Sequence, residues 1–160
     1  MPEMQELITR LLRHGVDFVV IGGVAAVAHG VSLVTGDLDV CCDFSVENLL
    51  RLQAAIGDLH PVHRMTPRRL SLELTPEFCR ALKNLYLSTD YGQLDCLSNV
   101  LGLGDYGEVK RNSVVFQLPG GRCRFLSLDA LIVSKEAAGR PRDHQAILQL
   151  KAIRERVGRT

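Results

Sequence analysis

Apolar residues recur at helical spacing at the start of the chain: Met4, Leu7, Ile8, Leu11 and Leu12 fall on one stripe, and Gly15 stands where helices commonly end. This spacing predicts a helix over residues 3–14. The pattern then changes to a compact run, Asp17 to Ile21, rich in β-branched residues, which reads as a buried strand stopped by Gly22 and Gly23. A short helix from Val24 to Ala28 ending at His29-Gly30, then a strand over residues 37–44, complete this part. Within that strand Leu38, Val40, Cys42 and Phe44 alternate with Asp37, Asp39, Cys41 and Asp43, which assigns one face to the core and the other to a site.

Ser45 is a good N-cap for a helix carrying Leu49, Leu50, Leu52 and Ile56 and stopping near Gly57. Residues 60–75 show no clear period. Thr75-Pro76 sets a cap and a first-turn proline ahead of Phe78, Cys79 and Leu82, which predicts another helix start. Two β-rich runs, Asn84 to Ser88 and Gln93 to Ser98, joined by Thr-Asp-Tyr-Gly, predict an antiparallel hairpin with Asp95 in its second strand. Beyond the glycine-rich stretch LGLGDYG, a second hairpin pairs Ser113 to Leu118 with Arg122 to Leu126 through Pro119-Gly120-Gly121. Ser127 caps a helix to about Ala138, GRPRD interrupts it, and Pro141 opens a last helix with Ile147, Leu148, Leu150 and Ile153 as its stripe. No internal repeat, linker or low-complexity tract is visible.

Composition narrows the functional classes. A length of 160 residues suits one domain with one sizeable core, expected over residues 1–160. With 19 Lys and Arg against 18 Asp and Glu, the formal net charge of +1 provides no global field for nucleic acid or an anionic membrane. The absence of Trp and an aromatic content of 5% leave few platforms for stacked bases. Five cysteines, at 41, 42, 79, 96 and 123, are odd in number and lack CxxC spacing, so they are expected to be reduced and mostly buried. The N-terminus has no signal-peptide pattern and no apolar run approaches about 18 residues, so a cytoplasmic protein without a membrane partner is expected.

The candidate chemistry lies in the aspartates. Asp37 and Asp39, two apart on a strand, project from the same face with Cα atoms about 7 Å apart. No core gains from two like charges side by side, so the pair suggests a divalent cation beside a phosphate-bearing substrate. In the first hairpin Leu94 and Cys96 join the core, which puts Asp95 on the opposite face, where an adjacent strand can aim it at the other two. Three aspartates on one sheet face suit phosphoryl transfer. Gly22 and Gly23 end a strand and begin a helix, so their backbone N–H groups can meet a polyphosphate without a Cβ intervening.

The order of strand, double glycine, helix, D-x-D and distant aspartate resembles the DNA polymerase β-type nucleotidyltransferase superfamily. Its small bacterial branch includes abortive-infection toxin nucleotidyltransferases and minimal nucleotidyltransferases of toxin–antitoxin loci. That branch shows an IGG-A-HG segment, a T-x-D-x-D strand and a late K-to-RD helical segment. Here these are Ile21-Gly22-Gly23, Ala25 and His29-Gly30, then Thr35, Asp37 and Asp39, then Lys135, Arg140, Arg142 and Asp143. The resemblance spans residues 16 to about 150.

With the resemblance, the pattern implies an α/β (α+β) fold with a mixed, largely antiparallel sheet flanked by helices. The implied activity is transfer of a nucleoside monophosphate from an NTP to a hydroxyl acceptor on RNA such as tRNA, on a protein or on a small molecule. By that likeness Asp37, Asp39 and Asp95 hold Mg²⁺, with Mn²⁺ as a substitute, and Asp95 is a metal ligand or base. Gly22, Gly23, Thr35 and Lys135 are the implied nucleotide contacts, and a cognate toxin or antitoxin is an implied partner. The chain departs from the pattern at Leu33, where relatives often carry arginine, and at Ala146, where toxin-like relatives tend toward aspartate. The alternative reading is therefore a catalytically weakened relative that binds nucleotide or a partner protein. The remaining polar residues have plainer readings: His29 as a helix cap or phosphate contact, His60 and His63 as loop histidines, and Arg64, Arg68 and Arg69 as a solvated basic face or a guide for the acceptor.

Overall fold

Caps and apolar stripes coincide along most of the chain. In the computed structural model, which describes residues 2–158, α1 (Pro2–Arg13) buries Leu7, Ile8 and Leu11. It stops at Gly15, whose φ of +67° lets the Gly15 and Val16 amides turn back onto the carbonyls of Leu12 and Leu11. β1 (Phe18–Ile21) is buried throughout. α2 (Gly22–Ala28) begins at the double glycine itself, earlier than the apolar pattern implies, because Gly22 takes φ +65° and turns the chain from strand to helix without a loop. β2 (Leu38–Cys42) is shorter than expected, so Asp37 sits on the loop just ahead of it.

α3 (Val46–Ile56) is capped by Ser45, which accepts from the Asn48 amide at 3.3 Å. β3 (Val62–His63) falls in the stretch without a clear period. α4 (Pro76–Ala81) is capped by Thr75, which accepts from the Phe78 amide at 3.2 Å. β4 (Asn84–Thr89) and β5 (Gly92–Leu97) form the first expected hairpin. The glycine-rich stretch folds into a small hairpin of β6 (Asn99–Val100) and β7 (Gly104–Asp105), followed by α5 (Tyr106–Arg111), elements too short to show a period. β8 (Ser113–Leu118) and β9 (Gly121–Leu126) form the second expected hairpin. α6 (Leu128–Ala138) is capped by Ser127 and ends at Gly139, and a 3₁₀ turn at Pro141–Asp143 leads into α7 (His144–Val157). Of the expected α7 stripe, Leu150 is buried while Leu148 is exposed.

The main sheet has seven strands in the order β3-β4-β5-β2-β1-β9-β8. β2–β5 and β1–β9 are parallel and the other neighbours antiparallel, so the sheet is mixed and largely antiparallel as expected. α1 packs on α3, and α5 packs on β1, β2 and β9. One expectation fails here: Cys41, assigned with the aspartates to an open face, is fully buried, with Asp105 at the start of α5 close enough to perturb it. The aspartate face is open only at the start of β2. All five cysteines are free and buried. Among the described residues no helix is long and apolar enough to cross a membrane.

Candidate active site

Strand register brings the acidic residues together. Ile21 on β1 pairs with Asp39 on β2, Asp39 with Asp95 on β5, and Asp95 with Tyr86 on β4. Residues directly opposite on neighbouring strands share a face, so Asp39, Asp95 and Tyr86 point into one space. The row continues to Arg64, just past β3, whose amide donates to the Tyr86 carbonyl at 2.8 Å. The Arg64 guanidinium lies 5.8 Å from the Tyr86 ring centre and binds both oxygens of Asp95, at 2.5 and 3.0 Å. Asp37, exposed on the loop, faces the Gln93 side-chain amide, whose NH₂ group donates to both carboxylate oxygens at 3.2 Å when oriented to satisfy them.

The two glycines are fixed by these same residues. A Cβ on Gly22 would stand 2.6 Å from Asp39 Oδ2, and one on Gly23 would stand 3.1 Å from Thr35 Oγ1. Gly22 thus leaves room for the Asp39 carboxylate, and Gly23 lets α2 pack on the loop whose Thr35 hydroxyl donates to the Asp37 carbonyl at 3.3 Å. Gly22→Ala should therefore both strain the backbone, by about 1–2 kcal/mol, and turn the Asp39 carboxylate aside. Gly15, at φ +67° and with its nearest neighbour, Arg51 Cδ, 4.0 Å from where its Cβ would stand, is the control that carries the same backbone cost alone. Thermal melts should show a stability loss in both variants, and the nucleotidyl transfer that the resemblance implies should be lost only in Gly22→Ala. Full activity in Gly22→Ala would refute the packing argument.

Gly22, Asp37, Asp39 and Asp95 line a cleft of about 490 Å³, and Arg64, Lys135, Arg140 and Arg142 contribute its positive charge. Gly23 and Thr35, expected as nucleotide contacts, are not among the residues that line it and pack on each other instead. Lys135 is buried on α6 with Nζ 3.4 Å from Asp143 Oδ1, while Arg140 Nε donates to Asp143 Oδ2 at 2.7 Å. Burial pushes the Asp143 carboxyl up, but the Arg140 hydrogen bond and the Lys135 and Arg140 charges outweigh it, and the group lies below its ordinary value.

Asp39 is the perturbed group of the site. Its carboxyl is pushed up to about 6 by burial first, then by the charges of Asp95 and Asp37, against the pull of Arg64 and Arg140. An acid raised in the folded state holds its proton more tightly folded than unfolded, so protonation favours the fold. The Asp39 contribution to stability should therefore fall as pH rises from about 4 to about 6, by on the order of 2–3 kcal/mol, and level off above. Melting wild type and Asp39→Asn in EDTA across this range should show wild type losing ground to the variant up to pH 6. A constant difference would place Asp39 outside any cluster of carboxylates.

Carboxylate oxygens at a mutually repelling site are the donor set of a hard divalent cation, and Asp37 and Asp39 fit one. Asp95 already holds a guanidinium, and among the described residues no group of three or more His, Cys, Asp or Glu side chains comes together around a metal position. Arg64, expected on a solvated basic face or as a guide for the acceptor, instead binds Asp95 in the cleft; its signal was register, since His63 pairs with Leu87 and so sets Arg64 beside Tyr86. His29 Nε2 is 2.8 Å from the Leu126 carbonyl, with its ring edge-on to Phe116; His60, exposed, pairs with Asp90 at 2.7 Å, and the His63 ring is edge-on to Phe78.

No protein-family model matches the chain, and no curated protein matches it. Among the solved structures similar to it is ANT(2″)-Ia in complex with adenylyl-2″-tobramycin, with a TM-score of 0.55 and 14% identity over 96% of this chain and 96% of that one. Another is TM1012 from Thermotoga maritima, provisionally described as a nucleotidyltransferase, with a TM-score of 0.51 and 14% identity over 98% of this chain and 91% of that one. The mixed sheet flanked by helices is thus a nucleotidyltransferase fold.

Proposed function

We propose that this chain is a divalent-metal-dependent nucleotidyltransferase that moves a nucleoside monophosphate from an NTP to an acceptor hydroxyl. One observation carries the reading: a single cleft is lined by three aspartates, two on the sheet and Asp37 on the loop ahead of β2, and by Lys135, Arg140 and Arg142. Asp37 and Asp39 would hold Mg²⁺ or Mn²⁺, which supplies positive charge at the α-phosphate and the departing pyrophosphate. Lys135, Arg140 and Arg142 meet the negative charge of the phosphates, and the uncapped start of α2 at Gly22 adds a backbone donor. As the acceptor oxygen bonds to the α-phosphorus, the bond to the bridging oxygen breaks, pyrophosphate leaves, and Asp95, once an oxygen is released from the Arg64 fork, receives the hydroxyl proton.

The neighbour complexed with adenylyl-2″-tobramycin carries its nucleotidyl group on a small molecule, which makes a small hydroxyl compound the first acceptor to test, ahead of tRNA or a protein. A role in a toxin–antitoxin or phage-defence system with a cognate partner rests on the IGG-A-HG, T-x-D-x-D and K-to-RD motifs, and a cytoplasmic location on the N-terminal sequence and the lack of a long apolar run. The test is incubation of the pure protein with each labelled NTP, Mg²⁺ and cell extract. Label should move to one acceptor class and stop with EDTA. No transfer from any NTP, together with no NTP-dependent change in melting temperature, would sink the proposal.

A further inference from the structure

The three aspartates of the cleft are not equally open. The Arg64–Asp95 pair is largely buried, with side chains 21% and 18% exposed, and its fork engages both carboxylate oxygens. The Arg64 backbone is tied into the β4 ladder and its guanidinium lies against Tyr86, the residue opposite Asp95 in register. Asp37 is different: it is exposed, and its contact is the neutral Gln93 amide.

Resting on the reading of this cleft as a nucleotidyl-transfer site, we propose that Arg64 and a divalent cation are alternative occupants of Asp95. With the guanidinium seated, a metal ion bound to the same oxygens would face a like charge within hydrogen-bond range, in a half-buried setting where screening is weak. The two cannot share the carboxylate. Asp37 and Asp39 then form the metal position open at rest, and Asp95 joins only after Arg64 moves off. The freed fork does not lack a destination: it matches phosphate as well as carboxylate, and it lines the same cleft as Lys135, Arg140 and Arg142. Arg64 is thus a positioning residue that sets when the third carboxylate enters the chemistry.

Mn²⁺ titration of the full chain without nucleotide, followed by electron paramagnetic resonance and calorimetry, tests this without any turnover. Wild type should bind one ion well and a second at least tenfold more weakly than Arg64→Ala does. Arg64→Gln should match Arg64→Ala, Arg64→Lys should fall between, and Arg64→Ala combined with Asp95→Asn should lose the gain. Equal affinity and stoichiometry in wild type, Arg64→Ala and Arg64→Gln, all folded by circular dichroism, would overturn the proposal. Failure of the underlying reading looks different: Asp39→Asn would bind the first Mn²⁺ as wild type does, whatever the Arg64 variants show.

Discussion

Asp39→Asn should lower nucleotidyl transfer by at least roughly 10²–10³-fold while leaving the circular dichroism spectrum unchanged, the size expected when one preorganised electrostatic contact to a transferring group is removed. The substitution keeps the shape that fills the space left by Gly22 and deletes the charge that meets Asp37 and Asp95. The same variant separates a metal site from an incidental acidic face. Mutual repulsion of the carboxylates in metal-free wild type is relieved by a bound cation, so the melting temperature of wild type should rise as Mg²⁺ exceeds its Kd. Asp39→Asn should show little metal response and, in EDTA above pH 6, should be at least as stable as wild type. A variant that transfers label at the wild-type rate would remove Asp39 from the mechanism. Wild type that shifts its melting temperature with NTP but labels nothing would instead be a catalytically weakened relative.

The shared face of Asp39 and Asp95 was legible in the sequence because strand periodicity is local, through alternation with Leu38, Val40, Leu94 and Cys96, whereas Asp37, expected on the strand, reaches the same cleft from the loop ahead of it. Most of the helices were legible for the same reason, since Ser45, Thr75 and Ser127 cap within their own first turns. What was not legible depends on which strands become neighbours. β3 is too short to show alternation, so nothing local places Arg64 in a row with Tyr86 and Asp95. Cys41 alternates with the core side of β2 and yet is buried, because α5, hidden in a glycine-rich stretch, covers its surroundings. The glycines were legible as a strand-to-helix turn, but their packing against Asp39 and Thr35 is a contact between segments that only the fold brings together.

The largest stability effect should come from Asp143. Lys135 and Asp143 have side chains only 9% and 10% exposed, and Asp143 is the acceptor for both Lys135 and Arg140. Asp143→Ala leaves a buried ammonium without its counter-ion, a change that typically costs 3–5 kcal/mol and should lower the melting temperature by about 10 °C in a chain of this size. Arg140, half exposed, can turn to solvent, so the loss falls mainly on Lys135. Removing both ends of the buried pair should recover stability, since an apolar pair of similar volume is often no worse than the ion pair it replaces. Lys135→Met with Asp143→Leu is therefore expected to melt near wild type. It should not recover NTP binding, because Lys135 lines the same cleft as the aspartates. Thermal melts and calorimetric NTP titrations of the single and double variants separate the two roles. Should Asp143→Ala melt within a degree or two of wild type, Lys135 does not depend on that carboxylate. Should the double variant bind NTP as wild type does, the phosphates are held elsewhere in the cleft.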